Sequence, residues 1–169
     1  IDRRAPGLYS TGDQVANEDI GERGQWLFNL LMTDLGDRAH PYFRPRFLGD
    51  KYPTFDSIVE VVDHPAYFFF VQVKGTTRGY TPNGRRLRVQ VSQEDVDRMV
   101  AVPAPTYVVG VDTALQVGFL LSVNEPRGPV AGLATRFPID RRGREDLRDE
   151  VVEFWSARNM VLTDSRFKE

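Results

Sequence analysis

Residues 55–75, FDSIVEVVDHPAYFFFVQVKG, predict two β-strands joined by a short turn at the centre of the fold. The second strand is among the most apolar runs in the chain, yet it ends in Gln-Val-Lys. Because strand side chains alternate, Gln72 and Lys74 point to the same face. An amide and an ammonium group at the end of a buried strand are costly to desolvate unless a function uses them. Asp56 opens the preceding strand, so a carboxylate, an amide oxygen and a lysine are expected on neighbouring strands.

A shared patch of these three side chains requires a particular register between the two strands. Directly opposed residues on antiparallel strands share a face. A two-residue loop between the strands places Asp56 opposite Val73, on the wrong face. A three-residue loop or a β-bulge places it opposite Gln72 or Lys74, and we predict this second arrangement. The alternative is that Gln72 and Lys74 only mark the point where a buried strand emerges into solvent.

Length and composition are those of one globular domain. The 169 residues are 41% hydrophobic and 27% charged, which does not favour disorder. The net charge of −2 does not by itself predict a nucleic-acid partner, so only local clusters of charge bear on that question. The lack of cysteine excludes disulfides and thiolate metal sites and fits a cytoplasmic protein. No apolar run is long enough to predict a membrane span. The first residue is Ile1 and not Met, so we expect either a trimmed chain or one piece of a longer protein.

The remaining chain predicts a mixed sheet between helices. Residues 1–15 lack periodicity and predict a loose leader, and residues 16–169 form the single predicted domain. The first helix is expected to begin after Asn17 as N-cap and to stop at Gly36. The other expected elements are strands over 42–48, 86–91, 106–111 and 116–123, a long surface loop over 124–142 and a helix over 144–157. A further helix is expected from Ser92 to residue 102, with Ser92 and Asp95 forming a capping box at its start. This order predicts an α/β/α sandwich around a central mixed β-sheet.

A basic segment follows the central hairpin. Residues 74–88, KGTTRGYTPNGRRLR, contain five basic residues and no acidic ones. These are Lys74, Arg78, Arg85, Arg86 and Arg88. Taken alone, such a run is usually a solvated loop. If the carboxylate, amide oxygen and lysine of the central hairpin form a magnesium site that hydrolyses phosphodiesters, the arginines would bind the phosphate backbone of the substrate. Such contacts give affinity without sequence recognition.

With Asp56 followed by Gln72-x-Lys74, the chain resembles the PD-(D/E)XK nuclease superfamily. It is similar in particular to the branch with Gln-x-Lys that includes Mrr-like restriction endonucleases and the DUF4365 family. Gly21-Glu22 on the first helix and PTYVVGVD at residues 105–112 also match in order. The likeness covers about residues 17–123 and implies a restriction-endonuclease-like α/β/α fold.

The resemblance implies a site that binds Mg²⁺ or Mn²⁺. Asp56 would bind the metal directly, Gln72 would offer a second oxygen, and Lys74 would position or activate the attacking water. The chain departs from the family pattern where no proline directly precedes Asp56 and where Gln72 replaces an acid. A single carboxylate holds magnesium weakly, so a second is needed. Glu60 is excluded because it would lie roughly 13 Å from Asp56 along the strand. Glu22 is therefore expected to complete the site, with a solvated surface glutamate as the alternative.

The function implied by the resemblance is that of a Mg²⁺-dependent DNA endonuclease in bacterial restriction or anti-phage defence. A homodimer is expected because two strands must be cut, alone or within a multi-subunit defence complex. The alternative hypothesis is a catalytically inactive nuclease-fold module for nucleic-acid binding or assembly, which Gln72 in place of an acid favours. A third hypothesis is a small-molecule-binding α/β domain, for which the sequence offers no phosphate-cradling glycine loop.

Overall fold

The computed structural model describes residues 11–158 and 160–168, with side chains from residue 16 onward. In chain order the elements are α1 (Thr11–Thr33), β1 (Phe43–Phe47), β2 (Ser57–Val61), β3 (His64–Thr76), β4 (Arg86–Leu87), α2 (Gln93–Ala101), β5 (Thr106–Asp112), β6 (Val117–Ser122), β7 (Leu133–Ala134) and α3 (Arg141–Ser156). No helix within the described residues is long and apolar enough to cross a membrane.

Five strands form one central sheet in the order β1-β2-β3-β5-β6, and β4 pairs with β7 in a separate two-stranded sheet. Neighbours in the central sheet are antiparallel except β3 and β5, which are parallel. A parallel pair needs a connection that crosses one face of the sheet, and here the chain crosses through β4 and α2. The mixed α/β architecture predicted from the sequence is therefore confirmed.

Side chains alternate along β3 and pack into two apolar cores, one on each face of the sheet. Phe69 and Val71 are fully buried in the first core, which α1 and α3 cover. Phe70 packs into the second core, which contains buried residues of α2, β4 and β7. Because β3 is the middle strand, its polar residues at positions 72 and 74 lie on the α2 face.

The predicted edge strand over 42–48 is confirmed in shortened form as β1. It pairs with β2 alone, and Pro45 lies opposite Val59. Proline lacks the N–H that a second neighbouring strand would need, so its place on an edge follows from its chemistry.

The start of the first helix was predicted too late. Helix α1 begins at Thr11, so Asn17 lies inside the helix and is not its N-cap. Residues 11–15 of the predicted leader are therefore helical, while residues 1–10 lie outside the described residues. Helix propagation adds residues to an existing nucleus at little cost, so an acceptable N-cap does not compel a helix to start there.

The predicted strand over 86–91 is mostly irregular. Only its first two residues pair as β4, and the Arg88 N–H donates to the carbonyl of Gly79 instead of continuing a strand ladder. Leu87, Val89 and Val91 are nevertheless buried in the second core. The alternation thus predicted burial correctly, although it did not predict which backbone partners the segment finds.

The segment over 124–142 is not a surface loop throughout. It contains β7, and its Val130 and Leu133 side chains are buried in the second core. Val130 also forms backbone hydrogen bonds with Val91 in both directions. The segment is therefore part of the packing on the α2 face of the sheet. Its many proline, glycine and arginine residues are typical of a surface loop and did not predict this burial.

Candidate active site

The register of the β2–β3 hairpin is the one that a shared patch requires. A β-bulge lies at the turn end of the hairpin, and Ser57 pairs with Val71. Continued by one residue beyond β2, this register sets Asp56 opposite Gln72, on the sheet face that also carries Lys74. The predicted bulge and the predicted face of Asp56 are therefore confirmed.

The Asp56 carboxylate is held at the junction of the two strands. It is partly buried, and its Oδ2 accepts a hydrogen bond of 2.6 Å from the backbone N–H of Val73. Burial raises the pKa of Asp56, while the Val73 N–H and the charge of Lys74 oppose that rise and the charge of Asp95 adds to it. A carboxylate with a perturbed pKa beside a lysine and a second carboxylate is typical of a functional site.

Gln72 is the most buried of the predicted site residues. Its side chain is 4% exposed, and its Oε1 has no hydrogen-bond partner among the described residues. Leaving a buried acceptor unpaired costs about 1–3 kcal/mol. Such an atom indicates that its partner is a ligand or a water rather than another part of the described chain.

Asp95 joins these residues, although its sequence context does not predict a site residue. It was predicted only as a member of the capping box of α2, and that box is confirmed: the Ser92 Oγ accepts from the Asp95 N–H at 3.1 Å. The Asp95 carboxylate also accepts from the hydroxyls of Ser92 at 2.9 Å and of Thr54 at 2.8 Å. No local pattern could have shown that the start of α2 returns to the β2–β3 junction, because that depends on the crossover.

The electrostatic surroundings of Asp95 connect it to the other three side chains. Burial alone would raise its pKa, but the hydrogen bonds from Thr54 and Ser92, the amide of Gln72 and the charge of Lys74 together hold the pKa of Asp95 below its usual value. We call Asp56, Gln72, Lys74 and Asp95 the strand-end cluster. Its two carboxylates have pKa values shifted in opposite directions, an arrangement common where two acids have different roles.

A cleft of about 220 Å³ adjoins the cluster at Lys74, and Asn17, Arg78 and Arg88 also line it. Close packing of α1 against the end of β3 forms one wall. A Cβ atom on Gly24 would lie 2.7 Å from the Cα of Gly75, so only glycine permits this approach. Both arginines are exposed, and neither forms an ion pair within the described chain. The cleft is therefore a basic groove that begins at Lys74.

Arg85 and Arg86 belong to a different part of the surface. Arg86 donates from its guanidinium to the Gly132 carbonyl at 2.9 Å, and the Arg85 carbonyl accepts from the Thr135 N–H. Neither side chain lines the cleft beside Lys74. Of the four arginines predicted to bind nucleic acid, the structure thus brings Arg78 and Arg88 next to the cluster.

Glu22 is not brought to the cluster. Its side chain is exposed on the outer side of α1, where it lines a shallow groove with Trp26 and Gln116. Helix α1 covers the sheet face opposite to Gln72 and Lys74. The position of Glu22 roughly opposite the apolar stripe of α1 accounts for this exposure.

The donors of the cluster suit a hard cation. Within the described residues there is no group of three or more His, Cys, Asp or Glu side chains able to hold a metal ion. The strand-end cluster instead offers two carboxylates and an amide oxygen, and oxygen ligands of this kind are those that Mg²⁺ and Mn²⁺ accept. The unpartnered Gln72 Oε1 is the observation that such an ion would explain. The residues present therefore fit the implied metal.

Comparison of the chain with protein-family models, with curated proteins and with solved structures finds no match. Membership of the nuclease superfamily accordingly stays a prediction based on the motifs and their order.

Proposed function

We propose that this protein is a divalent-metal-dependent DNA endonuclease that hydrolyses phosphodiester bonds. The observation that carries the proposal is the convergence of Asp56, Gln72 and Lys74 on one sheet face, where the buried Gln72 Oε1 has no partner in the part of the chain that the structure describes. The basic cleft that begins at Lys74 supplies a path for a phosphate backbone. Together these features provide oxygen ligands for a cation, a lysine at the reaction centre and positive charge for the substrate.

The residues of the site have separate roles in the proposed phosphodiester hydrolysis. Asp56 and the Gln72 amide oxygen would hold Mg²⁺ or Mn²⁺, an ion whose chemistry is to polarise a phosphoryl oxygen and to lower the pKa of water. Lys74 lies beside Asp56, so its ammonium group can orient the attacking water and stabilise the negative charge that develops on the phosphate. Arg78 and Arg88 contact the flanking phosphates and fix the position of the strand without recognising its sequence.

A cleavage assay on supercoiled plasmid DNA with Mg²⁺ or Mn²⁺ tests this function. Asp56→Ala should abolish cleavage, and Lys74→Ala should lower the rate by about a hundredfold or more. Asp50→Ala and Lys51→Ala are matched controls because both residues are exposed in the loop before β2, and they should cleave like the parent. Cleavage that persists in both Asp56→Ala and Lys74→Ala would overturn the proposal.

The substrate path predicts a difference among the four arginines. Arg78→Ala and Arg88→Ala should each weaken DNA binding and reduce the salt dependence of binding by about one counterion. Arg85→Ala and Arg86→Ala should have smaller effects because neither side chain lines the cleft. Binding to a short labelled duplex at several salt concentrations measures this, and equal effects at all four positions would contradict the assigned path.

An alternative function is that of a nuclease-fold module that binds nucleic acid without cutting it. The specific observation that favours it is that Gln72 stands where the family pattern has an acid. DNA binding that is unaffected by divalent cations, with no cleavage in any of them, would support the module and reject the endonuclease.

The cellular setting follows from the proposed activity. Action on DNA in restriction or defence, together with the lack of cysteine, favours the cytoplasm. Cleavage of both strands favours a homodimer, and measurement of the molar mass in solution with and without DNA tests that expectation.

A further inference from the structure

We propose that Asp95 is the second carboxylate ligand of the metal site and takes the place of the acid that Gln72 replaces. The inference rests on the proposed function, and it assigns the missing charge to the start of helix α2 rather than to the first helix. The metal class is that of hard divalent cations, Mg²⁺ or Mn²⁺.

The position of Asp95 is fixed by contacts to the strand segment that carries Asp56. Thr54 lies two residues before Asp56, and its hydroxyl donates to Asp95 Oδ1 at 2.8 Å. The Ser92 hydroxyl donates to Asp95 Oδ2 at 2.9 Å. A carboxylate has about four acceptor positions, so these two hydrogen bonds orient Asp95 and leave positions for a cation.

The independent observation that points to a ligand is the amide of Gln72. This side chain is 4% exposed, its Oε1 lacks a partner among the described residues, and it lies against Asp95 and on the face of Asp56. A buried oxygen atom without a donor, on an amide that contacts Asp95 and lies opposite Asp56, fits coordination of a cation, since a cation is attracted by all three groups at once. A hydrogen-bond donor from the chain would pair with the Gln72 oxygen alone and would not interact with the two carboxylates.

The charges of the cluster favour the same assignment. Asp56 and Asp95 supply two negative charges and Lys74 supplies one positive charge. Without a cation the two carboxylates repel one another in a partly buried setting, which is costly. Glu22 cannot relieve or complete this arrangement because its side chain lines a groove on the outer side of α1.

The first experiment separates the ligand role of Asp95 from its capping role. Binding of Mn²⁺ to the whole chain, without DNA, is measured by isothermal titration calorimetry. Asp95→Asn retains an oxygen that can accept the capping hydrogen bonds but loses the charge, and it should weaken Mn²⁺ binding by about tenfold or more. Ser92→Ala removes the capping hydroxyl and keeps the carboxylate, so it should lower the melting temperature and weaken Mn²⁺ binding clearly less than Asp95→Asn does. Asp97→Asn, exposed on the same helix, is the matched control for removing an acidic charge.

The second experiment moves the carboxylate instead of removing it. Gln72→Glu in the Asp95→Asn background places an acid on the strand beside the position of the lost one and should restore Mn²⁺ affinity. Gln25→Glu in the same background adds the same charge on α1, where Gln25 donates to Ser57, and should not restore it. Restoration by the first change alone supports Asp95 as a ligand, because a lost helix cap would not be repaired from β3.

Each outcome bears on one of the two proposals. If the parent binds Mn²⁺ and Asp95→Asn binds it equally well, the assignment of Asp95 is overturned while the endonuclease proposal stands. If Ser92→Ala loses as much affinity as Asp95→Asn, or if Gln72→Glu does not restore binding, Asp95 acts only through the cap and the assignment is again overturned. If the parent binds neither Mn²⁺ nor Mg²⁺ and cleaves no DNA, the proposed function itself fails.

Discussion

Two polar side chains lie equally deep in this domain and differ in what surrounds them. Gln72 and Arg144 are each 4% exposed. The Arg144 guanidinium donates to the carbonyls of Leu31 and Ile139, at 3.2 and 3.5 Å, and to the carboxylate of Asp34 at 3.0 Å. Gln72 Oε1, by contrast, has no partner among the described residues.

The difference separates a polar group whose hydrogen bonds are made within the fold from one whose oxygen has no partner among the described residues. A buried group with its hydrogen bonds made stabilises one arrangement of the elements that it joins, and Arg144 joins α3 to the end of α1. A buried group without a partner costs free energy, and proteins retain such groups mainly where function requires them. The exposed fraction is the same for Gln72 and Arg144 and does not distinguish them, whereas their hydrogen-bond partners do.

The largest expected effect is at the satisfied site. Arg144→Ala removes three hydrogen bonds and leaves two carbonyls without their donor, so we expect the free energy of unfolding to fall by about 3 kcal/mol. Urea denaturation measures the change. Arg142→Ala is the control, because Arg142 is exposed and its one ion pair within the described residues is with Asp146, and it should cost less than about 0.5 kcal/mol. Similar losses at both positions would contradict the structural role of Arg144.

The opposite sign is expected at the unsatisfied site. Gln72→Met keeps a similar volume and removes the unpaired oxygen together with the amide contact to Asp95, so without divalent cations it should raise the free energy of unfolding by less than about 1 kcal/mol. The control is Gln90→Met on the exposed surface, which should change stability by less than about 0.5 kcal/mol. Destabilisation by Gln72→Met would show that the Gln72 amide is satisfied in solution and that the comparison with Arg144 does not hold.

A smaller gain is expected from Asp56→Asn. Burial raises the pKa of Asp56, so the folded state disfavours the charged carboxylate at neutral pH. An amide avoids this cost and can still accept from the Val73 N–H, so the melting temperature without divalent cations should rise by less than about 4 °C. Addition of Mg²⁺ should raise the melting temperature of the parent and leave the variant unchanged, because only the parent binds the ion. The exposed Asp50→Asn is the control, and a Mg²⁺ response retained in Asp56→Asn would show that the ion binds elsewhere.

The smallest effect concerns pH and an ion pair outside both sites. The hydrogen bond from Arg148 is the main cause that holds the pKa of Asp63 below its usual value. A lowered carboxyl pKa contributes stability above the unfolded pKa, near 3.8, and that contribution is lost as the pH falls through the lower folded value. Asp63→Asn should therefore show less acid destabilisation below about pH 4, by a few tenths of a kcal/mol for such an exposed pair. Thermal melts at several pH values test this, with Asp149→Asn as the more exposed control.

Several elements could be predicted because their signals are local. The capping box at Ser92 and the prolines that follow α2 fix that helix, and Pro45 limits β1 to one neighbour. The alternation along residues 70–74 fixes the face shared by Gln72 and Lys74, and the bulge sets Asp56 on it. These features depend on backbone chemistry within a few residues, so tertiary contacts do not override them.

Three of the four residues of the candidate site were predicted from the sequence, and the fourth was missed for a physical reason. Three of its members lie on one hairpin, where sequence spacing converts directly into position. The fourth, Asp95, reaches them through the crossover between β3 and β5, and its sequence context was fully explained by helix capping. Glu22 was assigned in its place from the family resemblance and the exclusion of Glu60, although helical geometry put it on the outer side of α1.

By itself, the sequence determined the periodic features of this protein: which stretches form the central sheet, which side chains share a face, and that Gln72-Val73-Lys74 lies at the end of the central strand. Alternation and capping act through neighbouring residues, so they need no knowledge of the rest of the chain. Only the tertiary structure decided which second carboxylate joins Asp56 near Lys74 and which arginines line the cleft at Lys74. These residues are far apart in the chain, and their positions relative to Lys74 are set by how α1 and α2 pack on opposite faces of the sheet.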